Sequence, residues 1–253
     1  MPLAFALAGS GSRGNATLIR SRTTLVLVDC GFSLAETERR LARLGVAPSD
    51  LDAILVTHEH SDHVAGVARL AAAYRIPVRA SAGTARAHAL DGLAEPFDSH
   101  VPFVVGDIEV TPLIVPHDAT EPTQFLLGDG ACRVAVITDV GHVTPYLDAA
   151  LSGAEALILE SNHDEAMLAA GFYPPALKRR VGGDYGHLSN AQAAALLAGI
   201  DTSQLQQLVL AHLSEQNNRP ELARAAAAAA LGCTLEWIAA ADQESGLDWR
   251  QVN

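Results

Sequence analysis

The chain has 253 residues, 49% of them hydrophobic, which is enough for a sizeable core and too many for a disordered segment. A formal net charge of -12 argues against a surface that coats nucleic acid generally, while leaving room for a local basic site. No apolar run reaches the roughly 18 residues of a membrane span, and Cys30, Cys132 and Cys233 are too few and too scattered for a disulfide framework. They read as buried thiols in a reducing cytoplasm.

In chain order, Leu3 to Ala8 predicts a first core strand; it lacks the basic residues that would precede the core of a signal peptide. A Gly/Ser-rich loop, Gly9 to Asn15, follows, then a strand over Leu25 to Val28. Leu34 to Leu44 predicts a helix stopped by Gly45 and Pro48. The run Ala53-Ile54-Leu55-Val56 reads as a buried strand and leads into Thr57-His58-Glu59-His60-Ser61-Asp62-His63, after which a helix is expected to about Tyr74. Further strands are expected at Val78 to Ala80 and at Asp107 to Val115, the second ending at Pro116-His117, with a helix over Gly83 to Leu90 between them. Gln124 to Leu127 and Arg133 to Thr138 predict a hairpin around Gly128-Asp129-Gly130, whose second arm ends at Asp139. Ala156 to Glu160 and Leu208 to Leu210 are buried strands, the latter ending at His212, and Asn190 to Leu197 and Pro220 to Leu231 are helices. With no linker, repeat or composition break, residues 1–253 read as one domain.

Candidate ligands therefore recur just after apolar strands: His58, His60, Asp62 and His63 in one loop, then His117, Asp139 and His212. Imidazoles with one or two carboxylates suit a divalent transition ion, and the absence of cysteine from the set is compatible with zinc, manganese or iron. An all-imidazole site would not need Asp139, so its position favours two ions over one. Two such ions can share a hydroxide and clamp the oxygens of a phosphate or carbonyl.

The pattern His-x-His-x-Asp-His followed by a His, an Asp and a final His resembles that of the metallo-β-lactamase superfamily. The resemblance implies an α/β fold, a four-layer αββα sandwich of two mixed sheets with helices on the outer faces. It also implies that His58, His60 and His117 hold a first metal, that Asp62, His63 and His212 hold a second, and that Asp139 bridges them, with zinc as the first choice. The segments Ser10 to Asn15, Glu160 to Asp164, Gly186 to Asn190 and Leu210 to Asn218 further resemble the YycJ/WalJ (VicX-like) branch, which implies a phosphodiesterase or DNA exonuclease. The interval from Asp139 to His212 is too short for the inserted domain of RNase J-type enzymes, and the long exosite arm of tRNase Z is not evident.

Several residues then become candidates for the substrate side. Asp62, His187 and His163 are expected to take part in the reaction, with His187 or His163 donating to a phosphate oxygen or the leaving group. Ser10, Ser12, Asn15, Asn162, His187, Ser189 and Asn190 are candidate phosphate contacts, at a Gly-rich turn or at a helix N-terminus. A plain hairpin turn and a capped helix explain the same residues without a ligand. His142 is a further substrate-facing candidate, while His88 and His100 read as surface or core histidines. Lys178-Arg179-Arg180 is a local basic triplet that also fits a solvated helix face. The expected partner is nucleic acid or another phosphodiester, with no membrane; oligomeric state is not legible. The alternative reading is a small-molecule hydrolase of the lactonase or thioesterase kind, favoured by the acidic balance and by aromatics at only 5%.

Overall fold

The computed structural model describes residues 3–87 and 89–253; the expectation for His88 falls outside them. The first half of the chain builds one sheet from β1 (Leu3–Gly9), β2 (Ala16–Arg20), β3 (Leu25–Val28), β4 (Ala53–Val56), β5 (Val78–Ser81) and β6 (Ala94–Phe97). Helix α1 (Leu34–Arg43) and the pieces α2 (Ser61–Val64), α3 (Val67–Tyr74) and α4 (Ala82–Ala85) connect its strands. The second sheet comprises β7 (Phe103–Val105), β8 (Ile108–Ile114), β9 (Thr123–Gly128), β10 (Arg133–Ile137), β11 (Ala156–Glu160), β12 (Gln207–Ala211) and β13 (Ala239–Ala240). Its connections carry α5 (Pro145–Leu151), α6 (Glu165–Ala170), α7 (Pro175–Val181), α8 (Asn190–Gly199) and α9 (Pro220–Leu231). The last strand, β14 (Leu247–Val252), returns to the first sheet, giving the orders β14-β1-β2-β3-β4-β5-β6 and β13-β12-β11-β10-β9-β8-β7.

Each sheet mixes antiparallel hairpins with parallel neighbours, and the parallel strands are apolar on both faces because both faces are covered. One buried cluster, with Phe5, Val28, Leu55, Phe125, Val136 and Ile158, lies between the sheets. A second, with Leu18, Ile54, Leu41 and Leu70, seals α1 and α3 onto the outside of the first sheet. A third, with Ile137, Leu159, Leu147, Leu196 and Ala227, seals α5, α8 and α9 onto the second. The result is the expected four-layer αββα sandwich. Truncating a fully buried residue such as Leu55 to alanine costs on the order of 2–5 kcal/mol in such a core.

Local chemistry explains most element boundaries. Ser33 caps α1 by accepting from the Glu36 amide, Glu36 pairs with Arg40 one turn on, and Gly45 (φ 69°) ends the turn beyond it. The hairpin at Gly128-Asp129-Gly130 forms as expected, with Asp129 Oδ1 accepting from the amides of Ala131 and Cys132. Other expectations are revised. The helix after His63 breaks at Gly66, where any Cβ would lie 2.0 Å from the Phe32 carbonyl. The helix over Gly83 to Leu90 is a single turn, Ala82–Ala85. Strands β2, β6, β7, β13 and β14 have no counterpart in the sequence reading: β6, β7, β13 and β14 are the four sheet edges, β6 carrying Pro96 and β14 exposing Asp248, Arg250 and Gln251, while the buried β2 directly follows the Gly/Ser-rich loop.

Among the described residues no helix is long and apolar enough to cross a membrane. The three cysteines are free. Burial pushes the Cys30 thiol up to about 11, so very little thiolate exists below that pH. Iodoacetamide at about pH 8 should therefore leave Cys30 unmodified in the native protein and alkylate it after unfolding in urea, as read by peptide mass mapping. Alkylation of native Cys30 at the rate of a free thiol would contradict its packing.

Candidate metal centre

The carboxyl ends of β3, β4, β10, β11 and β12 open onto one edge of the sandwich. Three of the residues that leave these strands, Asp29, Asp139 and His212, adopt left-handed backbone with φ of 62°, 53° and 52°. For residues with a Cβ that conformation costs on the order of 1–2 kcal/mol each, and such strain persists where the surroundings over-determine it. It turns each side chain sharply off its strand and into a common space.

The imidazoles are brought together in two overlapping groups. His58, His60 and His117 present ligand atoms within 4.8 Å of one another, with His60 Nδ1 and His117 Nε2 separated by 3.3 Å. Asp62, His63 and His212 form the second group, and Asp139 reaches both, because it also clusters with His58 and His63. Asp139 Oδ2 lies 2.7 Å from His63 Nε2, and Asp139 Oδ1 lies 3.2 Å from His212 Nδ1. All seven residues with ligand expectations thus meet in one place.

Four of the five rings are held through their other nitrogen. His63 Nδ1 donates to Asp29 Oδ2 at 2.7 Å, His117 Nδ1 donates to the Gly186 carbonyl at 3.0 Å, and His212 Nδ1 donates to Glu160 Oε1 at 3.0 Å. His58 Nδ1 sits 3.0 Å from the Thr57 hydroxyl, which itself donates to Asp29. This pattern fixes the tautomer and leaves Nε2 of His58, His63, His117 and His212 facing the shared space. Nε2 of His58 and of His212, and Oδ2 of Asp139, are buried and make no well-aligned hydrogen bond, although Asp139 Oδ2 lies 2.7 Å from His63 Nε2 and His212 Nε2 lies 3.5 Å from Asp62 Oδ2. Buried polar atoms of this kind are rare unless something absent from the protein itself satisfies them. Three orphaned donor atoms converging from different strands fit a divalent cation.

The electrostatics lead to the same conclusion. Burial alone would lower His63, but the Asp139 and Asp29 carboxylates raise it well above the ordinary imidazole value. Burial opposes a charge on His212 as well, yet Asp139, Asp62 and Glu160 bring it up to about 9. Against the same desolvation, His212 and His63 hold Asp139 well below the usual carboxylate range. His58 is pushed well below its ordinary value by burial and by the neighbouring rings, which outweigh Asp139. The carboxylates thus demand positive charge, which protons on the imidazoles supply when no cation does.

Two residues that carry this geometry, Asp29 and Glu160, were not among the sequence candidates. Both follow the rule that exposed the others, an acidic residue at the end of an apolar strand. Glu160 is fully buried; Oε1 accepts from His187 Nδ1 and His212 Nδ1, and Oε2 accepts from the amides of Val140 and Leu188. Although burial would raise it, His187 and these bonds lower its carboxyl to about 2. With its oxygens so engaged, Glu160 orients ligands rather than serving as one, although it clusters with Asp139, His187 and His212.

A cavity of about 330 Å³ opens over the cluster, lined by Ser12, His60, Asp62, Asp118, Asp139, Arg180, His187 and His212 among others. Of the residues with substrate-side expectations, Asp62, Ser12 and His187 therefore face it. The rest do other things. Ser10 Oγ accepts from the His212 amide, Asn15 bridges Gly11 and the His63 ring, and Asn162 Nδ2 donates to the His212 carbonyl. Ser189 caps α8 and donates to Glu165, while Asn190 is locked between Ser161 and Asn218. His163 is buried, bridges to Ser189, and does not line the cavity. His142 does not line the cavity and donates to the Asp184 carbonyl at 2.8 Å. Arg180, from the basic triplet, reaches Asp118 Oδ2 at 2.5 Å beside His117.

A family model described as the metallo-beta-lactamase superfamily matches residues 9–189. The exodeoxyribonuclease YycJ of Bacillus anthracis is 40% identical over 232 residues, 88% of this chain and 87% of its own. The exodeoxyribonuclease WalJ of Streptococcus pneumoniae is 33% identical over 227 residues, 87% of this chain and 84% of its own. Among solved structures, the metallo-beta-lactamase fold protein YhfI of Bacillus subtilis superposes with a TM-score of 0.75 at 20% identity, covering 99% of this chain and all of the other, a likeness of fold.

Glu160→Gln and Asp29→Asn should each weaken divalent-metal binding by about 10- to 100-fold in a chelator-competition titration, with the far-ultraviolet circular dichroism unchanged. Wild-type affinity in both variants would show that the rings are oriented by other means.

Proposed function

The chain belongs to the metallo-β-lactamase superfamily, in the branch of the YycJ and WalJ exodeoxyribonucleases, and on that premise we propose that it is a metal-dependent phosphodiesterase acting as a DNA exonuclease. The observation that carries the reading is the convergence of the unpartnered His58 Nε2, His212 Nε2 and Asp139 Oδ2 beneath a cavity that also presents His187 and Arg180. We assign a first divalent ion to His58, His60 and His117, a second to Asp62, His63 and His212, and the bridging position to Asp139. Zinc is the ion we favour, since the donor set is nitrogen and carboxylate oxygen; manganese and iron suit the same donors. Ions held there supply Lewis-acid polarisation of a phosphate oxygen and an activated water at neutral pH.

The chain's own residues contribute position and a proton. Asp29, Gly186 and Glu160 fix the imidazole rings before any substrate arrives, so little reorganisation accompanies the reaction. His187 faces the cavity while Glu160 holds its Nδ1 at 2.8 Å, leaving Nε2 as the nitrogen that gives a proton to the departing ester oxygen. As water adds to phosphorus the phosphorus–oxygen ester bond breaks, the His187 proton converts the departing alkoxide into a hydroxyl, and the proton lost by the water restores His187. Its position in the cavity favours His187 over the buried His163 for this role. The paired C-terminal and N-terminal strands, β14 on β1, support one domain spanning 1–253, and the free thiols suit a reducing cytoplasm.

Purified protein should degrade DNA from its ends and hydrolyse bis-p-nitrophenyl phosphate, and EDTA should abolish both. Activity that survives complete demetallation would sink the mechanism, and a preference for acyl-thioesters over phosphodiesters would redirect the substrate. His187→Ala should lower kcat by about 10²- to 10⁴-fold with a smaller change in KM. Re-addition of zinc, manganese or ferrous iron to the demetallated enzyme ranks the ions.

A further inference from the structure

The rim of the metal cavity is built by residues 171–186, which contain α7, and its composition is unlike the rest of the surface. The protein is acidic overall and poor in aromatics, yet here three consecutive cations, Lys178, Arg179 and Arg180, lie between two exposed rings. Phe172 is fully exposed, and Tyr185 is 63% exposed. Leaving a phenylalanine wholly in water is unfavourable by the free energy of burying its ring, and nothing in the sandwich requires an aromatic there.

Both rings are tied to the cavity by short, stiff connections. Phe172 precedes Pro174-Pro175, which start α7, and Leu177 in the first turn of that helix lines the cavity. The intervening chain keeps Phe172 within about 15 Å of Leu177. Tyr185 directly precedes Gly186 and His187, two lining residues. The Tyr185 backbone is packed against Gly141, where an added Cβ would come within 2.6 Å of the Tyr185 Cα, and its carbonyl accepts from the Asp118 amide at 3.0 Å. Arg180, which lies between the two rings in sequence, lines the cavity. Asp118 takes its Nε and orients the guanidinium, whose two terminal nitrogens remain for a phosphate.

We infer that residues 171–186 form the platform that receives the DNA strand entering the metal cavity, with Arg180 on a backbone phosphate beside the scissile one and Phe172 and Tyr185 stacked on unpaired bases. The inference rests on the nuclease reading above and specifies how that site grips its substrate. A flat ring has a partner in any base, so the platform is indifferent to sequence, and the flanking cations follow the backbone. The same arrangement gives a chain with net charge -12 a local cationic triplet, Lys178-Arg179-Arg180, at the cavity through which a polyanion would enter.

The test separates binding from cleavage. Binding of a short fluorescein-labelled single-stranded oligodeoxynucleotide is followed by fluorescence anisotropy in EDTA, and hydrolysis of the same strand and of bis-p-nitrophenyl phosphate is followed with metal restored. Phe172→Ala and Tyr185→Ala should each weaken binding by about tenfold, Phe172→Trp should restore it, and the ratio of oligonucleotide to small-diester hydrolysis should fall in step. Arg180→Gln should weaken binding and flatten its dependence on salt. If the wild type binds the strand through these residues but does not cut it, the platform stands and the nuclease reading fails. If the wild type cuts DNA while Phe172→Ala and Tyr185→Ala bind and cut within twofold of it, the platform is overturned and the nuclease reading stands. A wild type that neither binds nor cuts overturns both.

Discussion

The Glu160 carboxylate is the contact on which the rest of the centre depends. It sits fully buried at the end of β11 and accepts four hydrogen bonds, from two imidazoles and two backbone amides. Those donors belong to the segment after β10, the entry to α8 and the end of β12, so one side chain ties together three parts of the second sheet. A buried carboxylate with that many donors is a rigid point, whereas the same group with one donor missing would leave unpaired polar atoms costing on the order of 1–3 kcal/mol each. Asp29 does the equivalent work on the first sheet, holding the Thr57 amide, the Thr57 hydroxyl and His63. The two carboxylates stand on opposite sheets of the sandwich, and the ligand cluster is suspended between them.

That suspension requires side chains to leave their strands at angles an ordinary extended residue does not provide. Asp29, Asp139 and His212 solve this with left-handed backbone, and glycines solve the complementary problem of close approach. At Gly31 a Cβ would lie 1.8 Å from the Asp62 carbonyl, so only glycine lets the segment after β3 pass beneath the His58–His63 loop. The local strain is offset by the apolar packing of the sandwich on either side, a division in which the core supplies stability and the edge supplies chemistry.

Much of this was readable in the residues. Apolar runs of four or five predicted β4, β10, β11 and β12, and the polar residues just beyond them predicted where a centre would form. Strands β6, β7, β13 and β14 escaped because they are edge strands, where periodicity is weak and pairing rather than burial decides the conformation, and the buried β2 escaped because it directly follows the Gly/Ser-rich loop. Asp29 and Glu160 were overlooked because an acidic residue after a strand reads equally well as a turn or a helix cap, and only three-dimensional proximity to His63 and His212 distinguishes them. The Gly/Ser loop and the Ser189-Asn190 pair illustrate the reverse. Their donor chemistry suited a phosphate, yet Ser10, Asn15, Ser189 and Asn190 spend their hydrogen bonds on the protein itself. A sequence gives a donor's existence; whether that donor is already engaged is a property of the fold.

The Gly9 to Asn15 loop has one further relationship, with the segment that leads into β14. Gln243 accepts from the Arg13 amide and donates to the Gly14 carbonyl, and Arg40 binds the Gln243 and Glu244 carbonyls. The loop that cradles the His63 ring through Asn15 is therefore shaped by residues 230 positions downstream. Contacts of that sequence separation form late, after the entropy of closing a very long loop has been met. In a protein made from its N-terminus onward, the His58–His63 motif emerges early while its supporting loop waits for nearly the whole chain, so a chain still being synthesised carries the ligands without a finished centre.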